Sequence, residues 1–263
     1  MKDISTKRFR YPHKINDNLW VLGNYYINLY LVVGKEKCAL VEVGISSTVD
    51  SVISQLGQLL VEPDYLIVTH PHADHITGYE GLKQKFPNAK TILGEGTLDF
   101  LNHPKAKDSI VTEDIFMNGR IEYFGYMPGR PPVDNVPSFN SPIIVKNEIT
   151  IDLGKTELTL FSVKGHSPGD LIGFVPTSRA AIVSDSIGFF YPGRDFLSLY
   201  LTGYEQSLMT IDRIHTLNPT IICPGHQGPI VGLDAARILH NSKKAMADLH
   251  SYILNKENDH PKT

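Results

Sequence analysis

The stretch Thr69-His70-Pro71-His72-Ala73-Asp74-His75 sets three imidazoles and a carboxylate within six residues, directly after the apolar run Tyr65-Leu66-Ile67-Val68. Few folds tolerate such a cluster at the end of a buried strand. Crowded imidazoles resist protonation, and a carboxylate withdrawn from water carries a desolvation penalty. A divalent cation removes both difficulties, so the segment predicts a metal site. One histidine among the 11 of this chain would mean little, but four ligand-type residues in the spacing His-x-His-x-Asp-His mean much more.

Three later residues share that setting. His166 follows the run at 158–163, Asp185 follows 180–183 and His226 follows 220–223, each run apolar or β-branched and each ending in Gly, Ser or Pro. Ligands carried on loops at one edge of a sheet can converge while the strands hold them rigidly. Cys223, three residues before His226, reads as ordinary strand packing, with approach to the metal as the lesser alternative. Cys38 reads as a small buried hydrophobe. Two cysteines are too few for a disulfide framework.

The motifs Thr69–His75, Gly165-His166-Ser167-Pro168-Gly169, Ser184-Asp185-Ser186 and Pro224-Gly225-His226 resemble those of the metallo-β-lactamase-fold hydrolases over about residues 17–230. The resemblance implies a four-layer αββα sandwich, two mixed β-sheets with outer helices, as one domain over 1–263. It implies one metal on His70, His72 and His166, a second on Asp74, His75 and His226, and Asp185 bridging both. Zinc is the foremost metal, with iron or manganese as alternatives, since five imidazoles and two carboxylates do not choose among them. The chain departs from the common pattern at Ser184, where relatives usually have Gly, and at Asp170, where many have His.

Composition agrees with an enzyme acting on a small molecule. Apolar residues make up 41% of the 263, enough for a sizeable core. A net charge of −3 with scattered lysines and arginines offers no basic field for nucleic acid. No apolar run reaches membrane-spanning length, and Met1-Lys2-Asp3-Ile4-Ser5 lacks the apolar core of a secretory signal. The expected compartment is therefore the cytoplasm, with no membrane partner. A homodimer is compatible with the sequence.

Patterning predicts strands at 19–22, 27–33 and 39–43, then a helix over 47–60 with Val49, Val52, Ile53, Leu56, Leu59 and Leu60 on its buried face. The strand delivering His70 follows, then a helix over 76–85 and a strand at 90–93. Strands are expected at 143–145, 148–153, 157–163, 171–175 and 180–184, a helix through Tyr204, Leu208, Ile211, Ile214 and Leu217, and a terminal helix over 234–254, with 256–263 frayed. Two sheet-rich halves, each followed by a helix, suit a sandwich better than a doubly wound sheet. Between 97 and 142 the periodicity fails. Turn residues alternate with Phe116, Tyr123, Phe124, Tyr126 and Met127, which predicts a flap over the metal site. The aromatic stretch Phe189-Phe190-Tyr191-Pro192-Gly193-Arg194-Asp195-Phe196 would form the opposite wall, with Phe190, Tyr191 and Arg194 as substrate-binding residues.

The resemblance also implies the chemistry: a metal-bridging hydroxide attacks an activated carbonyl, with Asp74 as the catalytic residue that orients it. Neither Ser167 nor Ser186 lies in a Gly-x-Ser-x-Gly elbow, so a serine nucleophile is disfavoured. Within the family the chain resembles the glyoxalase II and acyl-CoA thioesterase-like branch, which implies a thioester substrate. A lactone hydrolase would share every ligand. The stretch His72–Gly78 also resembles the persulfide dioxygenases, which would set a single iron on His70, His166 and Asp185. Phosphodiester cleavage is a further alternative, and a non-catalytic regulatory module is disfavoured because no ligand is missing.

Overall fold

The protein is seen here in a computed structural model describing residues 10–126, 129–191 and 194–259, with the backbone alone at 189–191, 194–197 and 257–259. The first half contributes β1 (His13–Asn16), β2 (Leu19–Gly23), β3 (Asn28–Val33), β4 (Cys38–Val41), α1 (Val49–Leu59), β5 (Tyr65–Ile67), α2 (Ala73–Ile76), α3 (Tyr79–Lys85), β6 (Lys90–Gly94), α4 (Thr97–Leu101), α5 (Ala106–Tyr123) and β7 (Ile143–Val145). The second contributes β8 (Glu148–Asp152), β9 (Glu157–Ser162), β10 (Leu171–Val175), β11 (Ala180–Ser184), β12 (Phe189–Tyr191), β13 (Arg194–Leu197), α6 (Tyr204–Thr216), β14 (Ile221–Pro224), β15 (Ile230–Val231) and α7 (Leu233–Asp259).

All the strands but β12 and β13, which pair with each other alone, form two mixed sheets. One runs β1-β2-β3-β4-β5-β6-β7, antiparallel as far as β4 and parallel beyond it; the other runs β15-β14-β11-β10-β9-β8, with β11 and β14 its parallel pair. Period-two alternation explains how they stack. Along β3, Tyr30 and Val32 face the other sheet and pack with Leu158, Leu160 and Ile182. Leu29 and Leu31 face outward, onto Val52 and Leu56 of α1 and Ile110 of α5. Along β11, Ala180 and Ile182 turn inward, while Ala181 and Val183 meet Ile211 and Ile214 of α6 and Ile238 and Met246 of α7. Both faces of each sheet are therefore covered, which is why these strands read as nearly continuous apolar runs. The result is the expected αββα sandwich.

Five local expectations need correction. The strand expected at 39–43 ends at Val41, because Glu42 takes φ 76°, outside the extended region. The helix expected over 47–60 stops at Leu59; Leu60 adopts φ 56°, closes the helix with its N–H, and is 91% exposed rather than buried. The helix expected over 76–85 is two helices. Thr77 Oγ1 lies 2.8 Å from the Ala73 carbonyl oxygen, and a Cβ at Gly78 would meet the Val43 carbonyl oxygen at 2.1 Å.

The segment 97–142 is not loop throughout, since α4 and the 18-residue α5 fill its first half. The buried stripe of α5 is Ala106, Ile110, Asp114, Asn118 and Ile121. Two polar residues inside that stripe hide the helical period. Met127 lies outside the described residues. The terminal helix runs longer than expected, over Leu233–Asp259. Among the described residues no helix is long and apolar enough to cross a membrane.

Candidate metal centre

Four strand ends deliver the predicted residues to one point. β5 leads into the loop holding His70 and His72 and on to α2, which carries Asp74 and His75; the β9–β10 connection carries His166, β11 ends beside Asp185, and β14 ends beside His226. Two backbone bonds clamp these ends of the sheets together: Leu171 N–H donates to the Thr69 carbonyl at 2.8 Å, and Asn28 N–H to the Gly225 carbonyl at 2.8 Å.

All seven predicted residues converge. His72 Nδ1 lies 3.1 Å from His70 Nε2 and 3.1 Å from His166 Nε2. On the other side, His226 Nε2 is 3.3 Å from Asp74 Oδ2, and His75 Nε2 is 3.6 Å from the same oxygen. Asp185 Oδ2 stands between the groups, 3.4 Å from His226 Nε2, 3.5 Å from His75 Nε2 and 3.9 Å from His166 Nε2. Ligand atoms bonded tetrahedrally to zinc at about 2.0–2.1 Å lie about 3.3–3.4 Å apart, so this spacing suits an ion in each set. Three groupings have their ligand-type atoms within 4.8 Å of one another: His70–His72–His166, Asp74–His75–His226, and His70–His75–Asp185. His75 Nε2 and Asp185 Oδ1 are buried without a hydrogen-bond partner, the condition expected of atoms awaiting a cation.

Burial sets the protonation of the first set. It depresses His70, His72 and His166, the last to about 4, with the neighbouring imidazoles adding to the effect at His70. Neutral imidazoles with free lone pairs are what a metal requires. The second set is the reverse. Burial opposes the charge of His226, yet Asp185 and Asp74 lift it to about 10, and Glu42, Asp74 and Asp185 raise His75 likewise. Burial would also raise Asp185, but His226 and His75 hold it well below the usual carboxylate range. A concentration of carboxylates thus seeks positive charge at this point.

The surrounding residues orient the ligands. Glu42 is 1% exposed, with Oε2 3.0 Å from His75 Nδ1, and its Oε1 accepts from Thr69 Oγ1 at 2.8 Å. That donation leaves Thr69 Oγ1 to accept from His70 Nδ1–H at 3.1 Å, which directs the His70 Nε2 lone pair toward His72. Carboxylate–histidine pairs of this kind fix ring orientation and tautomer. Ser184, in place of the usual Gly, adopts φ 47°, the left-handed conformation that favours Gly; its hydroxyl lies 3.1 Å from Thr69 Oγ1. Asp170 does not reach the metal groupings. It accepts from the backbone N–H of His166 at 3.1 Å, from that of Ser167 at 2.9 Å, and from the Ser167 hydroxyl at 2.6 Å, pinning the loop that carries His166. Gly225 has no room for a side chain, since a Cβ would come within 2.6 Å of His75 and 2.7 Å of Asp185 Oδ1. Cys223 lies fully buried in the core between the sheets, as packing and not as a ligand.

A family model described as the metallo-beta-lactamase superfamily matches residues 22–226. The chain belongs to that superfamily. Among curated relatives of this metallo-beta-lactamase superfamily member, Glyoxylase B2 of Dictyostelium discoideum is 45% identical over 47 residues, 18% of this chain and 16% of that protein. The uncharacterized protein YobT of Bacillus subtilis is 29% identical over 160 residues, 60% of each chain. The matched regions thus span less than two thirds of either relative. Among solved structures, an archaeal metallo-beta-lactamase superfamily protein from Sulfolobus tokodaii superposes with a TM-score of 0.63 at 20% identity, covering 84% of this chain and 80% of that one. The superfamily fold implies divalent metal binding, and the His and Asp groupings above suit it.

Over the candidate metal centre of this superfamily member opens a cavity of about 730 Å³. His72, Asp74, His166, Asp185 and His226 reach its floor, while Phe116, Met117, Leu199 and Leu201 give it apolar walls. Phe116 and Phe124 line it as the aromatic content of 97–142 suggested; Tyr26, Glu113, Arg120 and Gln227 were not legible in the sequence. Phe190, Tyr191 and Arg194 lie in the β12–β13 hairpin, where Tyr191 pairs with Arg194, but their side chains fall outside the described residues.

Proposed function

We propose that the protein hydrolyses an activated carbonyl ester, thioesters foremost, with two divalent cations. His70, His72 and His166 would hold one, Asp74, His75 and His226 the other, and Asp185 would face both; zinc is the first expectation, iron or manganese the alternatives. The observation that carries this reading is a pair of three-ligand sets sharing one carboxylate at the floor of an apolar-walled cavity. Two cations so placed supply a nucleophile at neutral pH and electrophilic activation of the substrate oxygen. Asp74 reaches the cavity and stays ionised, so its carboxylate can accept a hydrogen bond from a water and orient it. Phe116, Met117, Leu199 and Leu201 would hold an apolar acyl group. The short likeness to a protein named Glyoxylase B2 accords with the glyoxalase-like branch that the sequence resembles, and the thioester comes from that resemblance. A cytoplasmic site of action suits such a substrate.

The test is a panel run on metal-replete protein: acyl-CoA and acyl-glutathione thioesters, N-acyl homoserine lactones, β-lactams and bis-aryl phosphodiesters. Thioesters should give the highest kcat/KM, and Asp185→Asn and His72→Ala should each abolish turnover in a folded protein. Faster phosphodiester cleavage with thioesters inert at millimolar concentration would overturn the reading. So would one iron per chain with oxygen uptake on a glutathione persulfide.

A further inference from the structure

We propose that Arg120 is a specificity-determining residue that selects substrates bearing a carboxylate at the far end of an apolar segment. The inference rests on the hydrolase reading and names its substrate class. α5 presents Glu113, Phe116, Met117 and Arg120 to the cavity, positions three, four and seven apart that share one helical face. Arg120 and Glu113 are the charged lining residues that belong to neither metal grouping. Glu113 accepts from Ser109 Oγ at 2.9 Å and lies about 10 Å along the helix axis from Arg120, too far to neutralise it.

Arg120 itself is built into an aromatic stack. Its guanidinium carbon sits 4.8 Å from the centroid of the Phe124 ring and 5.5 Å from that of Tyr123. Phe124 in turn stacks on Tyr26 at 4.3 Å and 18°. Tyr26 continues to the metal floor, because its carbonyl oxygen pairs with His226 Nδ1. Among the described residues no carboxylate lies within ion-pair distance of Arg120. A guanidinium whose face is covered by rings keeps its N–H edges free, and that edge matches a carboxylate bidentately.

The helix carrying Arg120 is also held in place. Buried Asp114 accepts from Ser46 Oγ at 2.8 Å, Thr77 Oγ1 at 2.6 Å and the Val133 N–H at 2.8 Å, tying α5 to the end of α2, the helix that bears Asp74 and His75. The helix is thus fixed relative to the floor, and its Phe116 and Met117 line the same cavity as Arg120 and give it an apolar span. A ligand that occupies the floor with one oxygen donor and crosses the span meets Arg120 with its other end.

Metal-loaded protein should be titrated calorimetrically with α,ω-dicarboxylates from butanedioate to decanedioate and with the monocarboxylates of equal length. At one chain length the dicarboxylate should bind about fivefold or more tightly than its monocarboxylate, a preference shrinking in 1 M salt because Arg120 is exposed. Arg120→Gln should erase that preference and leave the monocarboxylate affinity unchanged, and Arg120→Lys should retain part of it. In parallel, Arg120→Gln should lower kcat/KM for ω-carboxyacyl thioesters by a larger factor than for methyl-ended acyl thioesters of equal length. Equal binding of the two series, or an equal loss on both substrates, overturns the inference even if thioesters are hydrolysed. Inert thioesters with the dicarboxylate preference intact would instead defeat the hydrolase reading and leave the selectivity of the cavity standing.

Discussion

Glu42→Gln isolates the charge that stands behind the second ligand set. The side chain is 1% exposed, and its two oxygens serve His75 Nδ1 at 3.0 Å and Thr69 Oγ1 at 2.8 Å. Glutamine has the same size, and its amide oxygen still accepts from His75 Nδ1–H. Its NH2 group then faces Thr69, whose proton can turn to Ser184 Oγ at 3.1 Å. Packing and hydrogen bonding are largely kept, while His75 loses the carboxylate that raises its basicity. Outer partners of metal-binding histidines typically change affinity about 10- to 100-fold. That corresponds to about 1.4–2.7 kcal/mol. Metal-free protein titrated with zinc against a competing chelator should therefore show one of two affinities weakened by that factor and the other moved by less than about threefold. Glu42→Ala should do more. It leaves the His75 N–H buried without a partner, at about 1–3 kcal/mol in folding stability, while the Thr69 hydroxyl turns to Ser184 Oγ. Two unchanged affinities in Glu42→Gln, or the loss of both together, would refute the assignment of Glu42 to His75.

Gly225→Ala should fold but lose at least one metal and most activity, because its Cβ would press within 2.6 Å of His75 and 2.7 Å of Asp185; wild-type metal content by elemental analysis would contradict this. Asp170 gives a pH dependence. Burial raises its pKa to about 7 against the pull of its three hydrogen bonds, so between about pH 4 and 7 the folded chain keeps a proton that the unfolded chain releases. Stability from this group therefore falls as pH rises across that window and is constant above it. Asp170→Asn, which cannot titrate, should gain on wild type over the same window in urea unfolding, and a difference independent of pH would count against the buried, protonated carboxyl.

The convergence of the seven candidate ligands was legible because each follows an apolar strand run, where sheet geometry brings loop residues together. Their orienting shell was not. Glu42 sits inside the run 39–43 and reads as one polar position in a strand; nothing local announces φ 76° or the approach to His75 from a neighbouring strand. α5 was hidden for the opposite reason. Asp114 and Asn118 occupy its buried stripe because they bind Ser46 and Thr77, so tertiary hydrogen bonding replaced the apolar period that marks a helix. Arg120 then looked like one more charge in a turn-rich stretch, and its setting depends on Phe124 and Tyr26 meeting across nearly one hundred residues. The sandwich itself followed from strand and helix order, since alternation along β3 and β11 required a helix layer on each outer face.

The central claim is that this chain holds two cations on separate three-ligand sets. Elemental analysis of protein expressed with ample metal, then dialysed, tests it most directly. A value of about two transition-metal ions per chain is predicted, falling to about one in His226→Ala, which removes a ligand from the second set alone. A stable value of one in the wild type, unchanged by His226→Ala, would contradict it.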